Sequence, residues 1–229
     1  MFILYIIFYI LVLYIIYKLK YKKTIYISIE GNIGSGKTTL LNLLKKKYTN
    51  IVFLDEPVNK WININDSNNN NILDNFYKDQ KRWSYTFQNF AFITRITELI
   101  INKNKLINKT VISERSIDTD KNVFAELLFD NNHLSELEYN IYNYWFNILS
   151  KEVKKVDKII YVNTKPKLCS ERIKIRNRIE EQNIKLEYLE QLHKKHKLWL
   201  SNKSNILEID GKNKFDDKTL NQIYYFIYK

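Results

Sequence analysis

The sequence predicts an α/β fold: a five-stranded parallel sheet flanked by helices in three layers, preceded by an N-terminal hydrophobic helix. Three observations carry this expectation. A glycine-rich turn separates a β-branched run from a leucine-rich helix; four further short β-branched runs alternate with helical periodicity; and residues 1–17 contain no charge, Pro or Gly. Strands alternating with helices pair in parallel, and such sheets hold their ligands at the carboxyl ends of the strands.

The apolar run comes first and is followed at once by Lys18, Lys20, Lys22 and Lys23. As a helix it would span about 26 Å, enough for a single-pass membrane anchor over residues 1–20 with snorkelling lysines and interfacial tyrosines. The basic flank puts the domain of residues 21–229 in the cytoplasm. No basic segment precedes the run and no small-residue cleavage site follows it, which argues against a signal peptide, and it lacks the Arg and Ser of a mitochondrial transit peptide. A buried helix or an artefactual start codon are the competing readings.

Residues 24–30 read as the first strand. Behind them come Gly31-Asn32-Ile33-Gly34-Ser35-Gly36-Lys37-Thr38-Thr39 and then Leu40-Leu41-Asn42-Leu43-Leu44. Strand, glycine turn and helix start form the context that the Walker A pattern requires, because backbone N–H groups of the turn and helix N-terminus hold phosphates. Lys37 then reaches the β/γ-phosphates, and Thr38 offers its hydroxyl to magnesium. Gly31, Gly34 and Gly36 are three of only four glycines in the chain, so an accidental flexible turn is a poor account of them.

Residues 51–54 form the second strand, ending in Asp55-Glu56-Pro57, and residues 63–71 are a polar low-complexity loop. Apolar positions at helical spacing run over 83–101. A third strand, 110–113, leads to Glu114-Arg115-Ser116, and helical stretches follow over 122–129 and 135–153. The fourth strand, 158–162, precedes a helix with Pro166 in its first turn, and 206–209 is the fifth strand.

Net charge is +12, mostly lysine. Nucleic acid, an anionic membrane or a phosphate-rich substrate would each suit it, but the lysines are scattered, as compositional bias on solvated faces would leave them; no nucleic-acid partner is expected. The six arginines, Arg82, Arg95, Arg115, Arg172, Arg176 and Arg178, say more, since they mark where bidentate geometry matters. Cys169 is the lone cysteine, which excludes disulfides within the chain. His193 and His196, on a Lys-rich helix without metal-ligand spacing, read as surface positions.

Phosphoryl transfer to a hydroxyl needs a phosphate cradle, magnesium, cations over the moving group and a base. Glu56, at a strand end, is placed to take a hydroxyl proton, or is a solvated carboxylate. Glu114 and Arg115 could serve magnesium and the attacking oxygen, or form a surface ion pair. Arg172 and Arg176 share a helix face with Arg178 beyond, suiting a lid over phosphates or a solvated basic face.

Taken in order, GNIGSGKTT, Glu56-Pro57-Val58 with Trp61, Tyr77 through Phe87-Gln88, Ser113-Glu114-Arg115-Ser116 and the run from Arg172 to Leu200 resemble the deoxynucleoside kinase family, which has the P-loop kinase fold. The resemblance covers nearly everything from Lys23 onward. It implies ATP and Mg2+ as cofactors and a deoxynucleoside as substrate, phosphorylated on its 5′-hydroxyl. By this resemblance Glu56 is the general base, Arg115 contacts the reacting oxygen, Lys37 serves the phosphates, and Thr38 with Glu114 serves the metal. Residues Gly31 to Thr39, the lid arginines Arg172, Arg176 and Arg178, and the loop beginning at Asp210 hold ATP. Tyr77 and Glu181 read the sugar 3′-hydroxyl; Gln88 pairs with the base, Phe124 stacks on it, and Trp61 and Phe87 wall the pocket. Arg95 and Asp120 line the base edge as in the deoxycytidine and deoxyguanosine kinases, implying deoxycytidine or purine deoxynucleosides over thymidine. The resemblance departs at Asp118, where animal members carry an aromatic residue. Family members are commonly homodimers. Two alternatives stand beside this reading: a nucleoside monophosphate kinase, which would need arginines for an acceptor phosphate where only Lys60 is found, and a non-catalytic protein binding nucleic acid or membrane through its basic surface.

Overall fold

Five strands pair in parallel in the order β2-β3-β1-β4-β5: β1 Ile25–Glu30, β2 Ile51–Leu54, β3 Thr110–Glu114, β4 Lys158–Asn163 and β5 Ile206–Asp210. The computed structural model describes residues 7, 10 and 24–229. The anchor expected over residues 1–20 therefore lies outside the described residues apart from Ile7 and Ile10. Among the described residues no helix is long and apolar enough to cross a membrane.

Helices α1 Lys37–Lys47, α2 Val58–Ile62, α3 Ile72–Lys78, α4 Gln80–Ile101, α5 Lys103–Leu106, α6 Ile117–Thr119, α7 Glu126–Asp130, α8 Glu136–Leu149, α9 Pro166–Arg176, α10 Leu186–Ser201 and α11 Asp217–Tyr228 surround the sheet. Side-chain alternation along each strand builds three layers. Ile27, Ile29 and Ile112 face Leu40, Leu41 and Leu44 of α1 and Leu220, Ile223 and Ile227 of α11. Their neighbours Tyr26 and Val111 face the opposite way, toward Phe92, Ile96 and Leu99 of α4 and Tyr142 and Phe146 of α8. Each fully buried Leu or Ile stabilises this arrangement by about 1.5–3 kcal/mol before entropy.

Three elements differ from the periodicity. Helix α4 starts earlier than position 83, because the Asp79 carboxylate caps it by accepting the Arg82 N–H at 3.1 Å. The stretch at 122–129 is not one α-helix: a π-helical turn, Asp120–Ala125, lies between α6 and α7. The stretch at 135–153 is α-helical only to Leu149, starting from a Ser135/Glu138 capping box and ending in a 3-10 turn, Ser150–Glu152. The polar loop is closed by an antiparallel bridge, Asn65 to Asn71, and the Asn71 side chain caps α3.

His196 corrects an expectation. It is fully buried, on the inward stripe of Tyr188, Leu189, Leu192 and Leu200. Its Nδ1 sits 2.7 Å from the Leu192 carbonyl, and its Nε2 has no partner among the described residues. His193 is half-buried.

Candidate functional site

The loop after β1 leaves the centre of the sheet and turns into α1 at Gly36, whose φ of 105° is left-handed. No side chain caps α1, so its first N–H groups remain free for an anion. Gly34 has φ +74°, and a Cβ there would lie 2.6 Å from the Cys169 carbonyl oxygen, so only glycine fits. The Asn32 side chain faces away from ligand space: its amide donates to the Leu189 carbonyl at 2.7 Å and its oxygen accepts from Ile33 N–H at 2.8 Å, tying the loop to α10. Ser35 is buried, and its carbonyl accepts from Arg172 Nη1 at 3.1 Å and Thr164 Oγ1 at 2.9 Å. The Lys37 ammonium folds onto the Asn32 carbonyl at 2.7 Å, and burial together with Arg115 lowers its pKa to about 8.

A cleft of about 760 Å³ opens from Gly34, Lys37, Thr38 and Thr39, passes the ends of β2 and β3, and ends among Trp61, Phe87, Gln88 and Phe124. That volume suits a small-molecule ligand. Glu56, just past β2, is gripped by two guanidinium groups, with Arg115 Nη1 at 2.6 Å and Arg95 Nη2 at 3.2 Å, both on Oε1. Burial would raise the Glu56 pKa, but Arg115, Arg95 and Lys37 outweigh it and hold it down to about 2. The carboxylate is thus ionised near neutral pH, and no described residue bonds its Oε2.

Arg115 follows β3 in a left-handed conformation, φ 62°, which costs a residue with a Cβ about 1–2 kcal/mol. The turn breaks strand alternation and carries the guanidinium back over Glu56, 5.1 Å from the Phe124 ring. Glu114 accepts the Thr38 hydroxyl at 2.9 Å, and burial, then Glu56, raises its pKa. A hydroxyl beside a buried carboxylate suits a hard divalent cation that takes its other ligands from water and phosphate. Among the described residues no group of three or more His, Cys, Asp or Glu could hold a metal by itself.

At the deep end, Arg95 of α4 donates from Nε to Asp120 Oδ2 at 2.9 Å and from Nη1 to the Glu114 carbonyl at 2.9 Å. Gln88 Nε2, two turns earlier on α4, donates to the Asp120 carbonyl at 2.8 Å. The π-helical turn therefore brings Asp120 to both α4 side chains. Trp61 stands edge-on to Phe87 with centroids 5.4 Å apart and donates Nε1 to Thr94 Oγ1 at 2.9 Å. The Tyr77 pKa is driven well above its usual value by burial, then by Tyr188 and Glu181, so it is a neutral hydroxyl.

The arginine run is already engaged. Arg176 and Arg178 both pair with the buried Glu181, the latter at 3.2 Å, and Arg172 Nη2 also donates to the Lys212 carbonyl at 3.2 Å. Every expected residue lines the cleft except Gly31, Asn32, Ser35 and Asp210. The exposed Asp210 carboxylate instead accepts the Lys212 N–H at 2.9 Å, shaping the loop that puts Phe215 beside Gly36. Asp118 does not line the cleft; its charged neighbours are Lys203, Lys155 and Lys121. Two groups escaped sequence reasoning. Glu30 is a fully buried carboxylate bonded to Ser116 and Thr119, and Asn71 donates to Glu180 Oε1 at 3.1 Å, linking the polar loop to the 3-10 turn Ile179–Glu181.

Residues 27–225 match the family described as deoxynucleoside kinase. The chain is 41% identical over 216 residues to the "Probable deoxycytidine kinase" of fowlpox virus, covering 88% of this chain and 87% of that protein. It is 36% identical over 222 residues to human deoxycytidine kinase, covering 84% and 85% respectively, and 35% identical over 205 residues to the mitochondrial deoxyguanosine kinase of Xenopus laevis, covering 81% and 76%.

Proposed function

The chain belongs to the deoxynucleoside kinase family, and from that premise we propose how its residues divide the work. It is an enzyme that phosphorylates deoxynucleosides, and the family implies ATP as donor. The observation that carries the assignment is Glu56: one oxygen held by Arg95 and Arg115, the other free, beside a phosphate loop.

In this reading the deoxynucleoside lies in the cleft with its 5′-hydroxyl donating to Glu56 Oε2. Glu56 takes the proton as the oxygen bonds to the γ-phosphorus of ATP and the bond from that phosphorus to the β–γ bridging oxygen breaks, releasing ADP, and Arg115 steadies the reacting oxygen. Binding of phosphate draws Lys37 Nζ off the Asn32 carbonyl. Mg2+ would be held by the Thr38 hydroxyl and, through water, by Glu114, neutralising charge on the β- and γ-phosphates. Tyr77 and Glu181 receive the 3′-hydroxyl, and Arg172, Arg176 and Arg178 close on the donor phosphates. Gln88, Arg95 and Asp120 meet the base edge, where a buried ion pair favours an exocyclic amine or purine edge over the thymine methyl. Deoxycytidine or purine deoxynucleosides are therefore the preferred substrates.

The test is purified protein with ATP and all four deoxynucleosides in competition. Thymidine as best substrate overturns the base argument. A monophosphate-kinase reading is weaker, because the cations near Glu56 and Trp61 are already engaged: Arg95 and Arg115 with Glu56 itself, and Lys60 with Glu98. A non-catalytic binding role is disfavoured by the intact Lys37, Glu56 and Arg115.

Two further assignments complete the proposal. Leu137, Ile141, Tyr144, Trp145 and Ile148 form an exposed stripe at helical spacing along α8, a face suited to a second copy of this chain. W145E should convert a dimer to a monomer in light scattering. Residues 1–20, of which Ile7 and Ile10 are exposed, anchor the enzyme to a membrane with its kinase domain on the cytoplasmic side. Flotation with membranes that is lost on deleting those residues supports this; recovery only in the soluble fraction refutes it.

A further inference from the structure

Among the described residues, Glu30 is a fully buried carboxylate that the cleft leaves without a role. Glu30 ends β1, is completely buried, and touches no ligand space. Its Oε1 accepts the Ser116 hydroxyl at 2.8 Å and its Oε2 the Thr119 hydroxyl at 2.5 Å. Ser116 in turn caps α6 by accepting the Thr119 N–H, so the carboxylate secures both ends of the first turn after Arg115.

The backbone on either side of Glu30 holds Arg115 as well. The Arg115 N–H donates to the Ile29 carbonyl at 3.0 Å, and its Nη2 donates to the Gly31 carbonyl at 3.4 Å. Residues 29, 30 and 31 thus grip Arg115 at its amide, through its following residue and at its guanidinium. The grip has a task. Arg115 adopts an unfavourable left-handed conformation, and such a conformation persists only where its surroundings over-determine it. Released, the residue would relax toward an ordinary strand-end geometry, and the guanidinium would leave Glu56. A satisfied core polar group is the plain alternative, but an apolar side chain would fill the same space without the desolvation penalty of a carboxylate.

We propose that Glu30 is a positioning residue for phosphoryl transfer: through Ser116 and Thr119 it locks the left-handed turn that aims Arg115 at Glu56. The proposal rests on the kinase reading, and Glu30 itself meets neither substrate nor reacting atoms.

A double-mutant cycle on the full chain tests it. E30A is expected to lower kcat about a hundredfold, the scale of a misplaced catalytic group, while KM for ATP stays within about twofold because the phosphate loop is intact. E30Q, which keeps the shape and lets the two hydroxyls reorient, should recover most of the rate. E30A placed on R115K should lower kcat no further than R115K alone, since the arginine it positions is already gone. Should E30A fail to fold, the S116A/R115K cycle answers the same question. Multiplying effects in either cycle, or an E30A enzyme with unchanged kcat, overturns the proposal. A parent protein that phosphorylates no deoxynucleoside would instead defeat the kinase reading.

Discussion

Replacing Arg95 with Met probes the buried charge chain at the deep end of the cleft. Arg95 is 6% exposed and Asp120 3%, and their 2.9 Å contact is shared with Glu56 through Nη2. Methionine fills the arginine stem and returns none of its bonds. Asp120 then becomes a buried carboxylate without its cation, and breaking such a pair costs about 3–5 kcal/mol of a total stability of about 5–15 kcal/mol. The loss depends on pH, with a definite sign. Burial pushes the Asp120 pKa up to about 6 even against the pull of Arg95, above its unfolded value. The folded state therefore binds more protons, and this contribution is fully present below about pH 4 and lost as pH rises through about 6. Without Arg95 the folded pKa climbs further, so acid restores what neutral pH removes. Urea unfolding of the parent, R95M, D120N and R95M/D120N at pH 5 and 7 reads this out. R95M should lower the midpoint by about 2 M at pH 7 and by less at pH 5, and the double variant should regain most of it. An R95M protein that loses under about 1 kcal/mol at pH 7, or a double variant as unstable as R95M, would refute the coupling.

Other outcomes follow from single residues. E56Q should reduce kcat about 10²–10⁴-fold with ATP affinity nearly unchanged by calorimetry; an unaltered rate removes Glu56 as base. Burial lowers the His196 pKa to about 3, so the folded state binds fewer protons than the unfolded one and stability falls as pH drops below about 6.5, by up to about 1.4 kcal/mol per unit. H196L should flatten that slope in unfolding experiments between pH 7 and 5. G34A meets both a left-handed φ and the Cys169 carbonyl, and should abolish ATP binding while leaving deoxynucleoside binding measurable.

The sheet and the glycine loop with its following helix were legible because their signals are local. β-branched runs, a glycine turn before Lys37, and charged residues directly past apolar strands each announce themselves within a few positions. The arginines spoke through scarcity in a lysine-rich chain, and the structure brings Arg95, Arg115 and Arg172 to one cleft. What was missed depends on distance. Glu30 looks like an ordinary strand end until Ser116 and Thr119 arrive from far along the chain. The burial of His196 was available, since it falls on the spacing of Leu192 and Leu200, but its lysine neighbours masked that stripe. The π-helical turn carries no sequence signature, because it is stabilised by packing among α4, α8 and α10. The pairing of Arg176 and Arg178 with Glu181 was hidden for a different reason: sequence reading divided them between donor and acceptor roles, whereas the fold joins them.

The uncapped start of α1 has a bearing on how long each copy of this enzyme lasts. With its first amides unpartnered and Lys37 bent back on its own loop, the resting protein lacks the stabilisation that a triphosphate supplies. A ligand at a hundred times its Kd adds about 2.7 kcal/mol, or roughly a hundredfold in the ratio of folded to unfolded molecules. Cellular proteases acting on opened chains sample that ratio. Starved of nucleotide, the enzyme would be cleared faster; well supplied, each copy would persist longer.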